Sequence, residues 1–199
     1  MLNKYLFLLL DVYSLCVAYP EPLADRLYQE TKKYLEDHVN TMLEKVKAGG
    51  GTGDQALLSN YHEGWKEFSQ GINYLHMLYS YLNNQHIRKQ KFSEAELNYG
   101  SLSLDHTETM KEIGELGLDI WRRQMIEPLQ KDLVRLLLEG ICYDRTGSAG
   151  GNRYQIDSTI KGVIASFVEV EEYKKKNVLE VSLARKKINS SLYFAVYFF

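Results

Sequence analysis

The chain has 199 residues, a net charge of −2, and a composition that is 45% hydrophobic, 12% aromatic and 25% charged. That is enough apolar material for a sizeable core, which excludes a disordered polyelectrolyte. The lack of a basic surplus excludes a global electrostatic footprint for nucleic acid. The two cysteines, Cys16 and Cys142, lie far apart on apolar stretches with no metal-ligand spacing, so buried free thiols in a reducing compartment are expected.

At the amino terminus, the apolar run Tyr5 to Leu10 is interrupted by Asp11 and lacks a small-residue cleavage site. It falls short of the roughly 20 apolar residues a membrane span needs, so a soluble amphipathic helix is expected. A short helix over Tyr13 to Tyr19 follows, with Tyr13, Val17 and Pro20 at i, i+4 and i+7 on one stripe. Pro20-Glu21-Pro22 then forces a corner. This short helix is either a plain core element or a docking edge held by the corner.

A long helix runs from about Pro22 to Lys47, with Leu27, Thr31, Leu35, His38, Met42 and Val46 on one face. The glycine-rich stretch Lys47 to Asp54 ends it. Leu58, Tyr61, Trp65, Phe68, Ile72, Leu75, Tyr79 and Leu82 then alternate steps of 3 and 4, one apolar stripe along a second rod. Lys91 to His106 is a polar connection with a short turn of helix between Ser93 and Glu96. A third rod begins near Thr109, with Thr109 and Glu112 in capping-box spacing. Its stripe is Leu118, Trp121, Met125, Leu129, Leu133 and Leu136, and Pro128 should bend it. Asp144 to Arg153 is a second glycine-rich break. A last helix gathers Ile160, Val163, Ile164, Phe167 and Val170. Strand signals are nearly absent, and the architecture expected is an all-α bundle of long antiparallel helices.

Chemistry-bearing motifs are weak. The run Gly49 to Asp54 lacks the Gly-Lys-Ser/Thr ending of a phosphate loop and follows a helix instead of a strand. His38, His62, His76, His86 and His106 pair with no ligand at metal spacing, and no nucleophile–base arrangement stands out. Glu171-Glu172 and the basic runs Tyr173 to Lys176 and Arg185 to Lys187 read as ordinary solvated helix surface, and the sequon Asn189-Ser190-Ser191, with no secretory signal expected, reads as chance. Neither catalysis nor a cofactor or metal is called for, which leaves faces for partners.

Four separated stretches carry a resemblance: Val12 to Val39, Tyr81 to Lys91, Glu112 to Gln130 and Ile160 to Lys176. In order and spacing they resemble the amino-terminal cullin-repeat region of the cullin family, with Cys16 to Leu23 most similar to its cullin-2 branch. The resemblance implies a non-catalytic scaffold of a ubiquitin ligase for ubiquitin-dependent protein degradation, in cytoplasm and nucleus. The partners implied are elongin C with elongin B and a substrate receptor. The docking residues implied are Tyr13, Val17, Ala18 and Pro20 on the short helix, with Met110, Ile113 and Gly114 opening the third rod. It also implies a division of the chain. Residues 1–10 are divergent, 11–145 form a first repeat lacking its first helix, 146–153 are a linker, 154–177 open a second repeat, and 178–199 are a divergent tail. The RING-binding half of the family lies outside this pattern, so no RING protein should bind. The alternative is a helical membrane-associated protein anchored by Met1 to Leu10 and Tyr193 to Phe199. With the first rod missing, the face around Leu75, Tyr79 and Trp121 should be partly exposed, and the isolated chain marginal or aggregation-prone.

Overall fold

A computed structural model describes residues 2–49, 54–90, 110–145 and 158–172. Every regular element among them is helical. In chain order they are α1 (Leu2–Cys16), α2 (Ala24–Gly49), α3 (Asp54–Leu78), a π-helical segment (Leu82–Ile87), α4 (Ile113–Trp121), a second π segment (Arg122–Ile126), α5 (Glu127–Arg145) and α6 (158–172). The glycine-rich breaks fall where helices stop, at Gly49 and Arg145. The turn expected between Ser93 and Glu96 and the anchor expected at Tyr193 to Phe199 lie outside the described residues.

The core is built on the α3 stripe. Leu58, Tyr61, Trp65, Phe68 and Ile72 are all buried, as their spacing predicts. Trp121 of α4 is driven into this stripe. Its ring centroid lies 4.7 Å from Phe68, 5.5 Å from Trp65 and 5.8 Å from Tyr61. Its indole Nε1 donates to the Tyr61 hydroxyl at 3.3 Å. The expectation that Trp121 would be partly exposed is therefore wrong: it is 0% exposed, and Leu75 and Tyr79 are half-buried. Gly117 allows this approach, because a Cβ there would lie 2.3 Å from the Ile72 side chain.

The amino-terminal stretch differs from expectation as well. Residues 2–10 do not precede a separate short helix, but run continuously into it as α1. Tyr5, Leu9, Val12 and Cys16, at steps of 4, 3 and 4, face the bundle. The Tyr5 ring packs edge-on against Tyr74 of α3 at 5.3 Å. So α1 packs onto the bundle along α3. It also stops earlier than the apolar run suggests, at Cys16, because the approaching prolines cannot continue a helix. Pro20 thus sits in the bend past the helix end, not on its stripe.

Three smaller corrections concern helix faces and caps. On α2, Val39 (0% exposed) and Tyr28 occupy the centre of the buried face, while His38 and Leu27 lie at its margin. On α6, Ile164 is exposed and Ser166 takes the inward position. The third rod is capped by Glu112 and Glu115; Thr109, the cap expected, lies outside the described residues. The strain of Pro128 is absorbed just upstream by the π segment, where the Glu127 amide donates to the Arg122 carbonyl five residues back. Cys142 is exposed, contrary to the buried thiol expected, and Cys16 is half-buried.

Candidate partner-docking face

The α1–α2 corner is closed by backbone bonds. The Val17 amide donates to the Tyr13 carbonyl at 3.1 Å, and the Leu23 amide to the Leu15 carbonyl at 3.0 Å. Two of the last carbonyls of α1 are thereby satisfied without a glycine cap. The corner presents Tyr13 (46% exposed), Val17 (45%) and a fully projecting Tyr19 (97%). Ala18 is half-buried and Pro20 exposed. Tyr13 is not loose. One edge packs against Tyr81 at a centroid distance of 4.8 Å, which fixes the ring while leaving part of it open. Upstream, Leu6 and Leu10 continue the exposed line, so Leu6, Leu10, Tyr13 and Val17 form one apolar ridge at steps of 4, 3 and 4.

The second group, residues 110–114, is held by the segment that also backs Tyr13. The Ile113 amide donates to Asn83 Oδ1 at 3.0 Å, and the Gly114 amide to His76 Nδ1 at 3.3 Å. Asn83, itself buried, donates through Nδ2 to the His76 carbonyl at 3.2 Å. These bonds satisfy the first amides of α4, which no intrahelical carbonyl can reach. Gly114 permits the fit, since a Cβ there would meet the His76 ring at 3.0 Å. Arg88 clamps Glu112 with two bonds, 2.6 and 3.3 Å, and His86 Nε2 pairs with Asp25 of α2 at 2.8 Å. Residues 76–88 thus form a bracket, with α1 on one side and the start of α4 on the other.

Each expected docking residue can now be placed. Tyr13, Val17 and Pro20 are open, and Ala18 and Met110 are half-buried. Gly114 lies against His76, and Ile113 is 0% exposed, so it supports the face from beneath without presenting a side chain. Sequence reasoning missed His76, Tyr81, Asn83 and Arg88. The available signal was Asn83 beside Leu82 at the end of an apolar stripe, a polar residue where burial demands a partner.

Beside Met110 lies a cleft of about 160 Å³ between α2 and the start of the third rod, lined by Tyr28, Lys32, Lys111, Asp119 and Arg123 among others. Asp119 receives Lys111 Nζ at 2.7 Å, an Arg122 terminal nitrogen at 3.1 Å and an Arg123 terminal nitrogen at 3.1 Å. Burial pushes the Asp119 carboxyl up, but the hydrogen bonds from Lys111 and Arg122 and the charges of Lys111 and Arg123 outweigh it and hold the group below the ordinary carboxylate value. At the far side of the core, burial raises the Tyr61 phenol. Among the described residues no group of three or more His, Cys, Asp or Glu could hold a metal ion, and no helix is long and apolar enough to cross a membrane.

Residues 4–195 match the family model described as the cullin alpha solenoid domain. Among curated proteins, the chain is 34% identical to Cullin-2 of Caenorhabditis elegans over 162 residues, 81% of this chain and 20% of that protein. It is 27% identical to Cullin-1 of Dictyostelium discoideum, over 80% of this chain and 18% of that protein. It is 21% identical to cell division control protein 53 of Saccharomyces cerevisiae, over 78% and 17% respectively. The chain therefore spans about a fifth of the length of these relatives.

Proposed function

The chain belongs to the cullin family, and from that premise we propose that it is a scaffold fragment of a cullin-RING ubiquitin ligase that docks an elongin C adaptor. Elongin C arrives with elongin B and a substrate receptor, and the whole serves ubiquitin-dependent protein degradation in cytoplasm and nucleus. The observation that carries this reading is the face itself: Tyr13 and Val17 stand half-exposed on a corner whose backing, Tyr81, belongs to the same bracket that holds residues 110–114. Aromatic anchors with one face packed and one face open are typical of interface hot spots, and each costs about 2 kcal/mol or more when truncated. In this reading the chain acts as a non-catalytic scaffold component of the ligase.

The test is a binding assay against purified elongin B–elongin C with Tyr13→Ala and Val17→Asp. Both are expected to weaken binding strongly with the fold intact. Unchanged affinity in both variants would remove the assignment.

A further inference from the structure

Beside the α1 ridge runs a second exposed apolar stripe, outside the docking residues that the resemblance implies. Tyr74 (45% exposed), Met77 (54%) and the half-buried Tyr81 lie at i, i+3 and i+7 on α3 and its continuation. Helical bonds carry the register past the end of α3: the Tyr79 amide donates to the Leu75 carbonyl and the Asn83 amide to the Tyr79 carbonyl, each at 2.9 Å. Two edge-on ring pairs tie this stripe to α1, Tyr5 with Tyr74 at 5.3 Å and Tyr13 with Tyr81 at 4.8 Å. Later residues of α1 thus meet later residues of α3, so the two helices run parallel here. On α1, Leu6 and Leu10 lie on the Tyr13 side of the buried line Tyr5–Leu9–Val12–Cys16. On α3, Met77 lies beyond Tyr74 and Tyr81 from the core stripe at Phe68 and Ile72. Both stripes therefore open on the side of the α1–α3 junction away from the core. Leu6 to Tyr13 and Tyr74 to Tyr81 each cover two turns, about 10 Å.

The same surface is depleted of charge, in a chain that is 25% charged. Phe68 to Ile87 contains no Asp, Glu, Lys or Arg, and Asp11 is the one such residue from Tyr5 to Pro20. Asp11 follows Leu10 and is set about 100° round the helix from it, off the ridge. A solvated helix face carries charges, whereas charge depletion with aromatic and methionine side chains is the composition of an interface centre. Met77, between two tyrosines, adds an unbranched side chain that adapts to whatever shape is laid on it.

We propose that the α1 ridge and the Tyr74–Met77–Tyr81 stripe form one apolar platform that seats the apolar face of an amphipathic helix on the docked protein complex. The inference rests on the docking reading above and extends that face toward the amino end of α1. Continuity fixes the occupant. Tyr13 belongs to the docking corner, to the ridge and to the ring pair with Tyr81, so a protein seated on Tyr13 and Val17 already covers one end of the platform. A helix laid along it would place anchors at i, i+3 or i+4 and i+7, which matches two turns on each stripe. The platform also selects against charge on that helix face, because a charged side chain buried there would find no counter-charge on either stripe.

The experiment measures affinity of the full chain for elongin B–elongin C with a substrate receptor, together with the melt of each variant. Met77→Glu, and Leu6→Glu with Leu10→Glu, change exposed side chains, so the fold should be retained. Met77→Gln repeats the test without added charge, and Leu8→Glu, exposed on the opposite flank of α1, is the control. The platform variants are expected to weaken binding roughly tenfold at an unchanged melting midpoint, with Leu8→Glu binding as wild type. If all of them bind as wild type while Tyr13→Ala weakens, the platform is wrong and the docking face stands. If Leu8→Glu weakens binding as much as Met77→Glu, the loss does not belong to the platform and the proposal fails. If the platform variants leave complex affinity unchanged but abolish self-association of the isolated chain in sedimentation, a second copy is the occupant. If they instead abolish flotation with phosphatidylcholine vesicles, the occupant is a lipid surface. Either result overturns the partner helix. If Tyr13→Ala and Val17→Asp both bind as wild type, the docking reading fails and the platform's partner with it.

Discussion

Two aromatic regions of this molecule make opposite use of the same residue types. Around Trp121, the rings of Tyr61, Trp65 and Phe68 close on the indole, and the polar atoms of Trp121 and Tyr61 are hydrogen-bonded. Tyr61 accepts from the Trp121 indole, and its hydroxyl lies 2.9 Å from Ser166 of α6, which donates in turn to the Val163 carbonyl at 2.7 Å. Along α1, Leu6, Leu10, Tyr13 and Val17 are each roughly half-exposed, and only Tyr13 has an aromatic backing. The first region is a folding core. The second is a surface whose apolar area is not consumed by folding. Burial separates the two, since hydrophobicity of the sequence is alike in both.

The sharpest way to break this contrast is Trp121→Ala. Removing the ring opens a cavity among three aromatic neighbours and strips Tyr61 of its donor, which should cost about 3–5 kcal/mol and remove most of the cooperative melt. Urea unfolding of the variant checks it. The converse substitutions, Tyr13→Ala and Val17→Asp, should leave the melting midpoint within about 0.5 kcal/mol of wild type while losing adaptor binding, because their side chains contribute little to the core. Equal destabilisation by Trp121→Ala and Val17→Asp would erase the distinction.

Gly117→Val lies between these extremes. Its side chain would collide with Ile72, so α3 and α4 must part, at about 1–3 kcal/mol by denaturant melt. The Asp119 cluster predicts a pH dependence. Its folded carboxyl titrates below the ordinary value, so its stabilisation is fully present above the unfolded carboxylate range and is lost as pH falls through the folded value. Asp119→Asn should therefore reduce stability near neutral pH and show a smaller further loss on acidification below about pH 4 than wild type. The smallest effect is expected from Leu6→Glu with Leu10→Glu. These should leave the melt nearly unchanged and reduce hydrophobic-dye binding and aggregation, read by light scattering, because the ridge faces solvent.

Much of the bundle was legible from spacing. The α3 stripe from Leu58 to Ile72 and the third-rod stripe from Met125 to Leu136 are buried as their 3- and 4-residue steps require. Periodicity located α2 as well, but not its rotation. Val39 and His38 are neighbours in sequence, and only packing against α3 decides which of them points inward. The start of α1 was hidden for another reason: residues 1–10 carry none of the four stretches on which the resemblance was read, yet Tyr5 and Leu9 continue the heptad-like spacing of Val12 and Cys16. The α1–α2 corner was visible as prolines after an apolar run. Its support was not, because His76, Asn83, Ile113 and Gly114 meet only in three dimensions, through amides that carry no side-chain signature.

The central claim, that the α1 corner and residues 110–114 form one docking face, is tested most directly by backbone hydrogen exchange of the full chain with and without elongin B–elongin C. The account predicts added protection at residues 13–18 and 110–114, carried into the bracket around Tyr81 and Asn83, with exchange around Trp121 and α6 unchanged. Protection confined to α5 and α6, or no protection anywhere at saturating adaptor, would contradict it.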